Sequence, residues 1–208
     1  MKYTDIQKEE AKTWLIQDEA VFRDKKTREV VRYPLLAKQM GLNFLDTSYM
    51  VVADVGCGPF GGVSSVIPFK KRIAIDPLAS EYSTIGEKTI VNVQAEEVDY
   101  KGFDLVIATN CIDHFENPGK FFEQLVKTMK PGAFFAHFHA IDNATTHPHP
   151  AHVYNINPKF VHSYLDTDFE TVWELQYPEV RYGWVNYNGK VGQPAFCGLY
   201  RKVTGYGK

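Results

Sequence analysis

Apolar positions in the first 45 residues recur at helical spacing. Trp14, Leu15, Val21, Phe22, Val30, Val31, Leu35 and Leu36 are separated by acidic and basic residues, which predicts helices with one apolar stripe. Pro34 is expected to open a new helix at its first turn and Gly41 to close it. From about residue 50 the rhythm changes. Short β-branched runs, MVVADV (50–55), RIAID (72–76), TIVNVQ (89–94), FDLVIATN (103–110) and AFFAHFH (133–139), alternate with polar or helical stretches. Between the last two, Pro118–Met129 has Phe121, Phe122, Leu125 and Val126 on one helical face, and Lys130-Pro131-Gly132 stops it. Strands alternating with helices predict right-handed crossovers and a mostly parallel sheet covered on both faces. ETVWELQY (170–177) and PAFCGLYRKV (194–203) leave no room for a crossover helix between them. They predict an antiparallel pair that completes a seven-stranded α/β sheet.

Composition bounds the function. With 208 residues, of which 44% are hydrophobic, the chain suits a single domain with a sizeable core. A net charge of −2 excludes a broad phosphate-binding face, so no nucleic-acid partner is expected. No apolar run approaches the ~20 residues that span a membrane, and MKYTDIQKEEAK carries no signal-peptide core. Cys57, Cys111 and Cys197 form no CxxC and read as neither disulfides nor a zinc site. A reducing cytoplasm is the expected compartment. The oligomeric state is left open.

The chemistry begins at Val51–Gly62, VVADVGCGPFGG. A strand runs into Gly56-Cys57-Gly58-Pro59-Phe60-Gly61-Gly62, and a helix is expected to start at Val63-Ser64-Ser65. Glycines allow a tight turn and close approach of a ligand to the backbone, and a helix N-terminus would add amide donors and positive potential. Gly56, Gly58 and Gly61 also satisfy the dinucleotide fingerprint GxGxxG. Two acids separate the alternatives. Asp76, at the end of the next strand, suits the two hydroxyls of a ribose in either case. Asp54, just before the loop, would repel a pyrophosphate but suits a cofactor with a cationic amino-acid tail. An NAD(P)-dependent oxidoreductase is therefore the weaker alternative.

The loop DVGCGPFGG, the acidic end of RIAIDP, the segment NVQAEEVDY and the block FDLVIATNCIDHFENPGKFFEQLVKTMKPGAFFAHF stand in this order over residues 48–140. Together they resemble the motifs of class I S-adenosylmethionine-dependent methyltransferases, the small-molecule type similar to ubiquinone/menaquinone-biosynthesis enzymes. The resemblance implies a Rossmann-like domain over 1–208: a helical N-terminal region (1–45), a cofactor-binding core (48–140) and a substrate-side loop with terminal antiparallel strands (141–208). It implies S-adenosylmethionine as cofactor and a small-molecule methyl acceptor. By position, Asp54, Gly56, Cys57 and Gly58 would border the methionine part and Asp76 would hold the ribose. Pro77 and Leu78 would flank the adenine, and Ala95 and Glu96 would meet its edge. Asn110 and Cys111 would lie beneath the methionine. Gln94 stands where the family often has Asp, so its contact with the adenine amino group would be made by an amide oxygen. A methyltransferase-fold protein that only binds the cofactor or a partner is the third alternative.

An oxygen acceptor must lose its proton, and a histidine or carboxylate can take it. Five of the seven histidines fall between 137 and 152. His137 and His139 share one face of a strand next to the expected methyl position, and Asp113 and His114 follow the neighbouring strand. His139, His137 and His114 are the catalytic candidates, and they make O-methylation the preferred reading. A second reading has HFHAIDNATTHPHPAH bind a divalent metal that orients a substrate hydroxyl, but it matches no standard zinc spacing and no metal ligand is assigned from it; in a third its histidines are loop and core residues. Residues 141–168 are long for a connection and read as a lid. Tyr154, Tyr164, Trp173, Tyr182, Trp184 and Tyr187 line either a substrate pocket or the core.

Overall fold

The computed structural model describes residues 3–15, 18–82, 89–141, 145, 149–177 and 194–203. Helix α1 (Tyr3–Trp14) is followed by α2 (Glu19–Gln39), whose first amides are capped by the Asp18 carboxylate at Ala20 and Val21. Pro34 lies inside α2 and does not begin a helix. Its ring removes one amide donor, but Tyr33, Leu36 and Ala37 around it are buried, and that packing carries the helix through. Gly41, at φ 74°, stands just beyond the C-cap residue Met40, as expected.

Six strands form one sheet: β1 (Val51–Val55), β2 (Lys71–Ile75), β3 (Leu105–Thr109), β4 (Phe134–Ala140), β5 (Phe169–Tyr177) and β6 (Ala195–Lys202). Their order is β2-β1-β3-β4-β6-β5. The first four run parallel, and β6 is antiparallel to both β4 and β5. The class is α/β and Rossmann-like, with the expected antiparallel end. Among the described residues the sheet has six strands where the sequence predicts seven. The segment 89–94 contributes only a bridge from Val91 to Ile75. There the Val93 amide turns back to the Val91 carbonyl, and Val91 is exposed at the edge, with little burial to hold it flat.

Alternation along the strands sorts side chains to two faces. Ala53, Val55, Val106, Ala108 and Phe135 meet α3 (Pro118–Thr128) and α4 (Pro158–Leu165) on one face. Val52, Leu105, Ile107, Ala136 and Phe138 meet Tyr33, Leu36 and Met40 of the α2 region on the other. Helix α4 falls inside the segment expected to be a lid; Asn157 caps it by accepting from the Phe160 amide, and Pro158 occupies its first turn. Tyr164 of α4 stacks on Phe122, and Trp173 donates to the Gln39 carbonyl, so both serve packing. Tyr182, Trp184, Tyr187 and His147 lie outside the described residues. No described helix is long and apolar enough to cross a membrane.

Phe121 is fully buried among the rings of Tyr100, Phe115, Phe122 and Phe135. Phe121→Ala should cost about 3–5 kcal/mol of unfolding free energy, through lost transfer and the cavity left behind. Urea titration followed by circular dichroism checks this; a loss below about 1 kcal/mol would contradict the packing.

Candidate active site

Parallel pairing brings the carboxyl ends of β1, β2 and β3 to one edge, and the glycine loop leaves β1 there. Gly56 has φ 62°, and a Cβ on it would overlap the Cys111 side chain, so a larger residue is excluded on two counts. The Cys57 amide reaches the Ile75 carbonyl, tying the loop to the end of β2. At that end Asp76 accepts from the Gly58 amide (2.9 Å) through one oxygen and from the Leu78 amide (2.9 Å) through the other. Each carboxylate oxygen keeps further acceptor capacity. The loop ends in a short 3-10 turn at Val63–Val66 where the sequence predicts a helix start. Pro68 follows too closely for an α-helix, so the helix-dipole contribution is absent from the loop and individual amides take its place. One of them, Ser64 N–H, donates to Asp54 at 2.8 Å.

Burial perturbs both acids. Asp54 is fully enclosed, and loss of hydration pushes its carboxyl up to about 7 against the opposing Ser64 N–H. Asp76 is pushed up to about 6 by burial, offset by the Leu78 and Gly58 amides. The second oxygen of Asp54 is buried with no hydrogen-bond partner among the described residues, and so is Oε2 of Glu96. The other Glu96 oxygen accepts from the Asn117 amide at 3.0 Å. Buried acceptors without donors beside a glycine loop fit a donor-rich, cationic ligand and not a pyrophosphate. Pro77 and Gln94 are partly buried next to this region, and Ala95 and Glu96 form a buried 3-10 turn. Leu78 packs with Ala11, Tyr82 and Trp14, giving an apolar wall where a flat base can lie. Asn110 ends β3 at φ 49° and accepts from the Ala140 amide through Oδ1. Cys111 is buried beneath Gly56, and burial raises its thiol well above its usual range.

Helix α1 covers this edge. Trp14 sits edge-on to Phe60 of the loop, at 5.9 Å between ring centres, and its indole N–H donates to Glu10. The other Glu10 oxygen lies 3.3 Å from His114 Nδ1, at ion-pair distance without hydrogen-bond alignment. His114 Nε2 is 3.4 Å from Asp113 Oδ1. Asp113 is fully buried and also meets His139 Nε2 (3.1 Å) and His152 Nδ1 (2.6 Å). Three imidazoles therefore converge on one carboxylate. The burial cost at Asp113 is outweighed by those imidazoles, His139 and His114 foremost, which hold it well below the usual carboxylate range. Burial disfavours the His114 cation, yet Asp113 and Glu10 carry it up to about 9.

Residues 53–137 match the family model described as a methyltransferase domain. Over that stretch the chain carries a methyltransferase domain, whose cofactor is S-adenosylmethionine. Solved structures share its fold. The N-methyltransferase NodS from Bradyrhizobium japonicum WM9, in complex with S-adenosyl-L-homocysteine, superposes with a TM-score of 0.64 at 14% identity, over 96% of this chain and 97% of that one. The 1,6-didemethyltoxoflavin-N1-methyltransferase of Burkholderia thailandensis gives 0.62 at 16% identity, over 98% and 92%. Curated protein sequences contain no match to the chain.

In this methyltransferase the residues assigned to the cofactor from sequence gather at one edge of the sheet, but the catalytic candidates divide. His137 lies on the β4 face within the core, parallel to the Tyr200 ring and against Phe196. Burial lowers it to about 3, so it is neutral there and remote from any proton traffic. His139 is fully buried too, with Nδ1 against the Ala140 carbonyl and Nε2 on Asp113. Both its nitrogens are engaged, which suits orienting Asp113 and not meeting a substrate. His114 and His152 are the partly exposed members. Glu10 escaped the sequence reading because α1 shows no motif; only folding carries it to His114.

Folded-state values above the unfolded ones mean that Asp54 and Asp76 hold protons more tightly in the native protein. Their stabilising contribution is full below about pH 4 and is lost as pH rises through about 6 and 7. Asp54→Asn keeps an acceptor for Ser64 and removes the buried charge. In protein free of cofactor it should therefore raise the melting temperature at pH 8 by on the order of 5 °C and change it little at pH 4.5. A difference independent of pH, in thermal scans at both values, would contradict the assigned protonation.

Proposed function

We propose that the protein transfers a methyl group to an oxygen of a small-molecule acceptor held at the Asp113–His114–His152 cluster. The observation that carries this reading is the convergence of His139, His114 and His152 on the buried Asp113 carboxylate, next to the cofactor edge. Electrostatic coupling of His114 with Asp76 supports the adjacency. S-adenosylmethionine would supply a sulfonium methyl open to in-line attack by an acceptor lone pair, with S-adenosylhomocysteine as the leaving group. The cationic ligand is suited by the partnerless oxygens of Asp54 and Glu96, and its ribose by Asp76. The protein's remaining task is to position the acceptor, exclude water and manage one proton. His114, cationic at neutral pH, can hold a developing or formed oxyanion. Asp113 and the half-buried His152 offer a route for the departing proton. A small acceptor accords with the toxoflavin-precursor N1-methyltransferase among the similar folds; the oxygen preference rests on this chain's own histidines.

Calorimetry with S-adenosylhomocysteine and with NADH tests the cofactor side. S-adenosylhomocysteine should bind, and Asp76→Ala should weaken it at least tenfold; binding unchanged by that substitution would refute the ribose contact. On the acceptor side, radiolabelled methyl transfer to a panel of phenols, hydroxy acids and amines should label oxygen. His114→Gln should then lower kcat by about 10²-fold while leaving S-adenosylhomocysteine affinity within a few-fold. Labelling confined to amines would overturn the oxygen assignment.

A further inference from the structure

The same cluster has a second property that hydrogen bonding alone does not require. Asp113, His114 and His152 each place a potential ligand atom within 4.8 Å of the others'. Within this trio the nitrogens nearest the carboxylate are His114 Nε2, at 3.4 Å from Oδ1, and His152 Nδ1, at 2.6 Å from Oδ2. An ion about 2.1 Å from each ligand needs them roughly 3.0–3.4 Å apart. The His114–Asp113 separation already meets that, the His152–Asp113 one must open by less than an ångström, and the two histidines' ligand atoms lie within 4.8 Å of each other. We propose that Asp113, His114 and His152 form a two-histidine, one-carboxylate site for a divalent first-row transition ion of the Zn²⁺, Co²⁺ or Mn²⁺ type.

Three features support the site. First, the ligands have their own supporting shell. His114 has Nδ1 3.3 Å from Glu10 and Nε2 toward the cluster, so the Glu10 carboxylate stands on the side where an outer partner of a metal-bound imidazole is found. His139 Nε2 also contacts Asp113, on the same Oδ1 that His114 approaches. Second, the ligands come from two segments already fastened together. The Val153 amide donates to the Asp113 carbonyl at 3.1 Å, and the His152 amide donates to the His149 carbonyl at 2.9 Å, so the turn carrying His152 is set against the 3-10 turn carrying Asp113 and His114. Third, the donor set of two imidazoles and one carboxylate favours transition ions over Mg²⁺ and Ca²⁺, which take oxygen ligands. The spacing along the chain conceals all this, because the ligands are 38 residues apart and none of the 137–149 histidines is among them. An ion here binds the neutral form of His114, so its own charge replaces that of the imidazolium where an acceptor oxygen would be held, favouring the deprotonated acceptor. That role rests on the proposed methyl transfer to oxygen; ion binding itself does not.

The test uses the full chain, stripped with a chelator and free of cofactor, titrated with Co²⁺. The expected result is one Co²⁺ per chain with visible d–d absorption, and a melting temperature that rises with Zn²⁺ and falls back with chelator. His152→Ala removes a partly exposed ligand and should weaken Co²⁺ binding at least tenfold while circular dichroism stays unchanged. Asp113→Asn should abolish it. Glu10→Gln should weaken it by about tenfold, as outer-shell partners do. No stoichiometric binding, or binding that survives both His152→Ala and His114→Gln, overturns the site. Either outcome is read without methyl transfer, so failure of the metal site and failure of the oxygen-acceptor reading are separate results.

Discussion

Parallel pairing of β1 with β2 on one side and β3 on the other is the constraint from which the site follows. Asp54 stands opposite Ala74 in β2 and Ile107 in β3, and Ala108 stands opposite His137 in β4. Every chain direction in that four-stranded core is the same, so every carboxyl end lies at one edge. The glycine loop, Asp76, Asn110 and the Asp113–His114 turn are the first residues beyond those ends. They meet because of strand direction, although more than fifty residues separate the loop from the turn. Antiparallel β6 then lies beside β4 without bringing another strand's carboxyl end to that edge.

The edge concentrates charge that the fold would not choose for stability. Asp54, Asp76 and Asp113 are buried, and Glu10 joins them from α1. Two solutions appear side by side. Asp54 and Asp76 are answered by backbone amides, too few to offset burial, so both are pushed upward. Asp113 is answered by imidazoles and stays ionised. A buried carboxylate given only part of its hydrogen bonds is a cost to the free protein and a ready acceptor for a donor-bearing ligand. One given three imidazoles is a fixed negative charge around which protons, or an ion, can be arranged.

Much of this was legible in the sequence because strand alternation and glycine punctuation are local signals. The runs at 50–55, 72–76, 103–110 and 133–139 appear within a residue or two of their predicted ends, and helix α3 matches its apolar stripe. Most of what failed depended on contacts distant in sequence. Pro34 reads as a helix start until the burial of its neighbours is known. The run at 89–94 has strand composition but lies at an edge, where one neighbour cannot hold it. Val63-Ser64-Ser65 reads as a helix start, yet Pro68 leaves length only for a turn. His137 and His139 do share a face, as period two requires, but that face is covered by Tyr200 and Phe196 from β6, which no local pattern reveals.

Helix α1 ties the two halves of the site together. Its Ala11 and Trp14 pack on Leu78 and Phe60, on the proposed cofactor side, while Glu10, just before Ala11, lies at His114, on the proposed acceptor side. One rigid helical turn therefore senses both. A ligand that shifts Trp14 over the glycine loop must also move the Glu10 carboxylate relative to His114, since the two are also joined by the indole N–H bond. The charge balance at Asp113 would then change with cofactor occupancy. Thermodynamic linkage would make such an effect reciprocal: a ligand at the acceptor cluster would then alter cofactor affinity by the same factor. The two ligands need not touch for the order of their binding to matter, because the element that covers one also completes the electrostatics of the other.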